Sequence, residues 1–192
     1  QQLSHLSYFD TLTSFYNRNR YMEDMQKLAG REGSVGIVYL DVNGLKDIND
    51  QFGHAFGDKV LIECAERMKK VFQEGSFYRV GGDEFVIVCP GVSKEHFRGK
   101  VNALRASFKR DELCRAAIGS QWTEKLVDVS QAVANADARM YEDKKEFYRN
   151  NPVSKRYRHH SDELLYLTDP EILREEISRN QFVVYLQPKI SS

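Results

Sequence analysis

A chain of 192 residues, 41% hydrophobic and 29% charged, can build one well-cored domain with some chain to spare, and is too apolar for a disordered tail. Lys plus Arg and Asp plus Glu number 28 each, so the net charge is zero; that argues against broad binding to nucleic acid or an anionic membrane, though not against a local phosphate site. Cys64, Cys89 and Cys114 form no CxxC pair and read as buried small hydrophobes in a reducing compartment, and neither a signal peptide nor an apolar run near the ~20 residues of a membrane helix is visible, so the chain reads as soluble and cytoplasmic.

The opening "QQLSHLSYF" looks like the tail of a longer connecting helix, which we place at residues 1–8. "NRNRYMEDMQKLAG" spaces Tyr21, Met25 and Leu28 as a helix does, with Gly30 as its C-cap. "SVGIVYLDV" is a near-continuous β-branched run, the pattern of a strand covered on both faces, and it ends at Asp41. "NGLKDINDQFGHAFGD" follows as a turn, a short helix and a glycine-punctuated loop. Asp58 is expected to cap the next helix, whose apolar stripe is Val60, Leu61, Cys64, Ala65, Met68 and Val71. "SFYRV" and "EFVIV" read as a hairpin around Gly81-Gly82, a pair suited to the positive φ values of a two-residue turn. A helix carrying Phe97, Val101, Leu104 and Phe108 on one face comes next, then a strand near Cys114 to Ile118. A last helix between Val129 and Tyr148 turns Val133, Ala136 and Met140 inward. The core order β-α-β-β-α-β is the split βαβ arrangement, an α+β ferredoxin-like fold.

That order has a geometric consequence. A right-handed crossover makes the first two strands parallel, and the hairpin partner returns between them, antiparallel to both. The end of the first strand, Asp41, then meets the start of the third, Asp83 and Glu84. Carboxylates gathered at one sheet edge repel and raise one another's pKa unless a cation sits among them. Such an oxygen-lined site suits Mg²⁺, which keeps positions open for water and phosphate.

In order along the chain, "DTLTSFYNRNRY", "DVNGLKDINDQFGHAFGD", "RVGGDEF" and "ADARMYEDKK" resemble the GGDEF domain of bacterial diguanylate cyclases, over roughly Tyr8 to Asn150. We place the domain at 9–150. The resemblance implies a βααββαβ fold of the palm-like nucleotidyl-cyclase type, with a central antiparallel sheet flanked by helices. It also implies a reaction: two GTP condense to cyclic di-GMP with release of pyrophosphate, in a homodimer whose halves each hold one GTP. By position, Asp41, the Val42 carbonyl and Asp83 are the implied ligands of Mg²⁺ (or Mn²⁺), and Glu84 lies near the second metal or the attacking hydroxyl. Asn49 and Asp58 are the implied guanine contacts, and His54 sits near the substrate or simply packs its loop. The backbone N–H groups of Asn43, Gly44 and Leu45 are the implied phosphate cradle, which Lys144 joins; Lys46 reads as a loop charge.

This chain departs from the family pattern in places. Asn43 stands where a second Asp is frequent, Leu45 where an aromatic is, and Ser14 where a glycine is usual. Tyr148 occupies the position of an expected arginine, with Arg149 one place late. The window for the family's product-binding RxxD motif holds Phe72 to Gly75, "FQEG", which implies no inhibition of that form.

Beyond Asn150, "NNPVSKRYRHHSDE" reads as a polar linker, 151–165. "TDPEILREEISRN" reads as a helix and "QFVVYLQPKI" as a strand; this piece, 166–192, resembles the opening of an EAL domain, the cyclic di-GMP phosphodiesterase that often follows a GGDEF domain. The chain thus reads as a fragment of a larger signalling protein with an upstream sensor, and an upstream region could anchor the whole to a membrane. Three readings stand: an active cyclase, a GTP-binding regulatory domain tuning an attached EAL enzyme, or a domain kept for protein contacts.

Overall fold

The computed structural model describes residues 8–29, 33–109, 114–125 and 128–150. The elements run β1 (Tyr16–Asn17), α1 (Arg18–Leu28), β2 (Val35–Val42), α2 (Leu45–Phe52), α3 (His54–Val71), β3 (Ser76–Arg79), β4 (Glu84–Pro90), α4 (Lys94–Lys109), β5 (Ala116–Thr123) and α5 (Val129–Asn150). The expected cap at Gly30, the leading helix tail up to residue 7, the linker and the EAL-like segment lie outside the described residues.

The five strands form one sheet in the order β1-β3-β4-β2-β5. Strand β4 pairs antiparallel with both β2 and β3, which makes those two parallel and realises the split βαβ order read from the sequence. Strand β2 is sandwiched between β4 and β5 and buried almost throughout, because helices cover both its faces. Val38, Leu40 and Val42 face α3 and α4, joining Leu61, Cys64, Met68, Phe97 and Leu104. Val35 and Ile37 point the other way and join Leu28, Val129, Ala132 and Ala136 from α1 and α5. The strand's unbroken apolar character follows from this double burial. All three cysteines are buried thiols, as their spacing implied.

The structure corrects several sequence expectations. Strand β5 runs to Thr123 rather than ending at Ile118, because it pairs along the whole of β2 as far as Val35↔Thr123. Its outer half is anchored by the Trp122 indole N–H, which donates to the Val92 carbonyl at 2.9 Å. Asp58 is not an N-cap: α3 starts four residues earlier, at His54, because Gly53 at φ 85° both ends α2 and starts α3. Gly81 and Gly82 do not supply positive φ angles; among the described residues the glycines that do are Gly33, Gly44, Gly53, Gly75 and Gly91. The β3–β4 connection is also longer than two residues, since Arg79 pairs with Phe85 while the Val80 and Gly81 amides both donate to the Glu84 carbonyl, at 3.0 and 3.4 Å. A Cβ at Gly81 would instead press on the tip of the Glu84 carboxylate, so glycine leaves that side chain room to fold back.

Helix α5 lies very close to β5. A Cβ at Gly119 would run into the Ala136 carbonyl and the Met140 amide, so only glycine permits the approach. Asp143 then sets the phase of the helix: it accepts the Ile118 amide at 2.8 Å and pairs with Arg105 at 3.0 Å. Lys144, the next residue, is thereby delivered to the end of β2.

Candidate active site

The end of β2 is stitched on both sides. Asp41 pairs in register with Glu84, the Val42 amide donates to the Asp83 carbonyl at 3.0 Å, and the Asn43 amide donates to the Arg115 carbonyl at 2.8 Å. Asp41 and Glu84, opposite each other, project on the α5 side of the sheet, the side of Val86 and Val88. Asp41 is only 5% exposed, and its Oδ2 accepts from Lys144 Nζ at 3.0 Å. Its other oxygen, Oδ1, is buried with no hydrogen-bond partner.

The electrostatics follow from this crowding. The Asp41 carboxyl is raised to about 6, chiefly by burial and further by Asp83 and Glu84, against the opposing pull of Lys144. Glu84 is also raised, first by burial and then by Asp83 and Asp137, with Lys144 and Arg18 opposing. Burial alone would lower the Lys144 ammonium, but Asp41 outweighs it and the group ends above its ordinary value. Asp41, Asp83 and Glu84 therefore feel one another as a cluster, as the strand order implied, and Lys144 from α5 joins them.

A divalent cation fits this cluster on the structure's own terms, because it would meet the unpartnered Asp41 Oδ1 and relieve the repulsion that raises Asp41 and Glu84. Among the described residues no three His, Cys, Asp or Glu side chains converge as a complete ligand set. Two carboxylates and a backbone carbonyl would leave the remaining positions to water and substrate oxygens, as is usual for Mg²⁺.

The turn after β2 enters α2 through Gly44, whose φ of 71° is the left-handed conformation glycine adopts without strain. Of the three amides expected to form the cradle, that of Asn43 is already spent on the Arg115 carbonyl. The Asn43 side chain is buried and its Oδ1 has no partner. Gly44 and Leu45 lie at the N-terminal end of α2, where amides lack intrahelical acceptors. Tyr148 faces this turn from α5: burial raises its hydroxyl, while Lys144 and the Gly44 N–H pull it back. A phenol thus sits against the cradle where the family pattern has a guanidinium.

Asn49, His54 and Asp58 gather separately, around the α2–α3 junction. Asn49 Oδ1 is buried without a partner beside Gly57, whereas His54 and Asp58 are exposed on the first turns of α3. Lys46 is exposed, but on the first turn of α2 and not in a loop, because the helix begins directly after Gly44. In the "FQEG" window, Phe72 is 3% exposed and packs edge-on against Phe97 at 6.2 Å. A Cβ at Gly75 would crowd Cys89 Sγ at 2.9 Å and the Val88 carbonyl at 3.0 Å, so that window serves packing.

One group escaped the sequence reading. Arg79 clamps the Gly82 carbonyl through Nε at 3.1 Å and Nη2 at 2.6 Å, and reaches Asp10 at 3.1 Å. Asp10 in turn accepts from the Thr13 amide at 2.8 Å and the Thr13 hydroxyl at 2.7 Å. The N-terminal turn is thereby riveted to the loop that carries Asp83. The only signal was an Asp-x-x-Thr turn pattern far from an arginine preceding the glycines.

Residues 7–150 match the family model described as "Diguanylate cyclase, GGDEF domain", and the chain belongs to that family. Signaling protein YkoW of Bacillus subtilis is 29% identical over 211 residues, which span 100% of this chain and 26% of YkoW. The bifunctional diguanylate cyclase/cyclic di-GMP phosphodiesterase MucR of Pseudomonas aeruginosa is 28% identical over 99% of this chain and 30% of its own length. The chain thus spans less than a third of these curated relatives. Among solved structures, the diguanylate cyclase SiaD of Pseudomonas aeruginosa, crystallised with its activator SiaC, superposes with a TM-score of 0.63 at 28% identity, covering 73% of this chain and 59% of that one.

Proposed function

We propose that the chain carries a diguanylate cyclase domain that condenses two GTP into cyclic di-GMP, each 3′-hydroxyl attacking the other's α-phosphate and expelling pyrophosphate. The observation that carries this reading is the Asp41↔Glu84 pairing, with Asp83 alongside and Asp41 Oδ1 unpartnered, in a chain of the GGDEF family. Relatives named as diguanylate cyclases support it.

Asp41, Asp83 and the Val42 carbonyl would hold Mg²⁺ or Mn²⁺. A divalent cation bound there supplies positive charge that polarises the α-phosphate, lowers the hydroxyl pKa and neutralises the leaving pyrophosphate. Glu84 stands within the same field, raised by burial and by Asp83, and is suited to accept the hydroxyl proton. The Gly44 and Leu45 amides and Lys144 bind the β- and γ-phosphates, for which Lys144 must leave Asp41 and the Gly44 N–H must exchange the Tyr148 hydroxyl for phosphate. Asn49 and Asp58 select guanine, since a carboxylate accepts from N1–H and the exocyclic amine while adenine lacks that donor pair. Each domain holds one GTP, so turnover requires two chains face to face.

We further propose that residues 151–165 link the domain to an EAL module beginning near 166, because the alignment to the bifunctional MucR runs over 99% of this chain, past the end of the GGDEF match at 150. An upstream sensor would drive the assembly. The substrate places the domain in the cytoplasm; among the described residues no helix is long and apolar enough to cross a membrane. With Phe72 and Gly75 in the inhibitory window, product control falls to the EAL module or the sensor. The alternative is a domain that binds GTP and tunes the EAL enzyme without condensing it, favoured by the single observation that Tyr148 faces Gly44 in place of an arginine.

Incubating the protein with GTP and Mg²⁺ and separating nucleotides by chromatography tests the proposal. Cyclic di-GMP and pyrophosphate are expected, at a rate per chain that rises with protein concentration. Bound GTP with no product supports the regulatory alternative instead.

A further inference from the structure

Gly57 sits buried in the first turns of α3, one residue before Asp58. Its φ is not positive, so the backbone does not require glycine there. Glycine is also a poor helix former, which leaves side-chain space as the physical reason for its presence. That space is filled by Asn49 from α2. A Cβ at position 57 would overlap Asn49 Oδ1, and would stand 2.9 Å from Asn49 Cγ and 3.4 Å from Leu45 Cδ1. Asn49 Oδ1 is buried and bonded to nothing, so packing against the α3 backbone, not a hydrogen bond, holds the amide plane.

We propose that Gly57 is a positioning residue for nucleobase recognition: its missing side chain lets the Asn49 amide lie flat on α3 with its outer edge presented to the base. The inference rests on reading Asn49 as a guanine contact. A methyl at 57 leaves two responses. Asn49 rotates out of its orientation, or α3 withdraws from α2 and carries Asp58 with it. Either weakens the grip on the base while leaving the phosphate and metal residues of β2 and β4 in place.

A double-mutant cycle tests this. Gly57→Ala, Asn49→Ala and the double variant are titrated calorimetrically with guanosine 5′-[(α,β)-methylene]triphosphate and with its inosine counterpart, which lacks the exocyclic amine. Gly57→Ala and Asn49→Ala are each expected to weaken the guanosine and inosine analogues alike, roughly tenfold, because the exposed Asn49 Nδ2 donates to an acceptor that both bases carry. The double variant should bind no more weakly than Asn49→Ala alone, because both act through one contact. Multiplicative losses, wild-type affinity in Gly57→Ala, or a lowered Tm with unchanged affinity overturns the assignment. If Gly57→Ala does not fold, the double variant decides: restored folding, with the overlapped atom removed, supports the proposal, and continued failure overturns it. Absence of binding by the wild-type chain overturns the guanine reading itself, a result distinct from any pattern within the cycle.

Discussion

The two ends of the β2–β4 ladder are built from the same pair of strands and differ in what they face. At one end Ile37↔Val88 and Val38↔Ile87 are buried apolar pairs with helices on both sides. At the other, four residues along, Asp41 pairs with Glu84, two acids opposite in register that burial and the neighbouring Asp83 both raise. Like charges placed so are destabilising for a sheet. Yet this end is held hard, by the Val42–Asp83 and Asn43–Arg115 backbone bonds, by the Arg79 clamp on Gly82, and by α5 across Gly119. The apolar end thus supports the fold, and the acidic end carries unfavourable electrostatics that the surrounding structure over-determines, the usual signature of a working site.

Substitutions can break or sharpen that contrast. The largest stability loss is expected on the apolar side of β2: Leu40→Ala, at a fully buried position, should cost about 2–5 kcal/mol and lower the midpoint of a urea or thermal transition accordingly. At the acidic end the largest gain should come from Tyr148→Arg. It replaces the phenol facing Gly44 with a second cation beside Lys144, and should lower KM for GTP roughly three- to tenfold without raising stability. Steady-state kinetics checks this, and an unchanged KM would show that position 148 does not meet the phosphates.

The Arg79 clamp predicts an effect of pH. Burial would raise Asp10, but the Thr13 hydroxyl, the Thr13 amide and Arg79 outweigh it, so the carboxyl lies below its ordinary value. The unfolded chain then binds more protons than the folded one as pH falls below about 4, so stability from this group is present above that range and lost through it. Asp10→Asn should lower stability at pH 7 and flatten the acid limb of a Tm-versus-pH curve; an unaltered limb would remove Asp10 from the account. The smallest effect is expected at Ser14, which sits at φ 60° where glycine is unstrained. Ser14→Gly should stabilise by about 0.5–1 kcal/mol, visible as a small rise in Tm.

The strand order and the meeting of Asp41 with Asp83 and Glu84 were legible in the sequence, because crossover handedness and a buried β-branched run leave few alternatives. Other features were hidden for definite reasons. Strand β1 is two residues long and carries no periodicity. The start of α3 depends on the φ of Gly53, and a capping Asp five residues on was the stronger local signal. The Lys144–Asp41 pair spans 103 positions and depends on how closely α5 approaches Gly119, which no local pattern records. The glycines of the β3–β4 loop were visible, but their purpose was not. A tight turn and room for a folded-back Glu84 call for the same residue.

Asp83→Ala tests the central claim most directly, with cyclic di-GMP formation and thermal unfolding measured on the same sample. A side chain at the loop end contributes to the site and not to the core, so product should be undetectable while Tm stays within about 3 °C of the wild-type value. Product formed at the wild-type rate, or a collapse of the fold, would contradict the division of the ladder into a supporting end and a catalytic one.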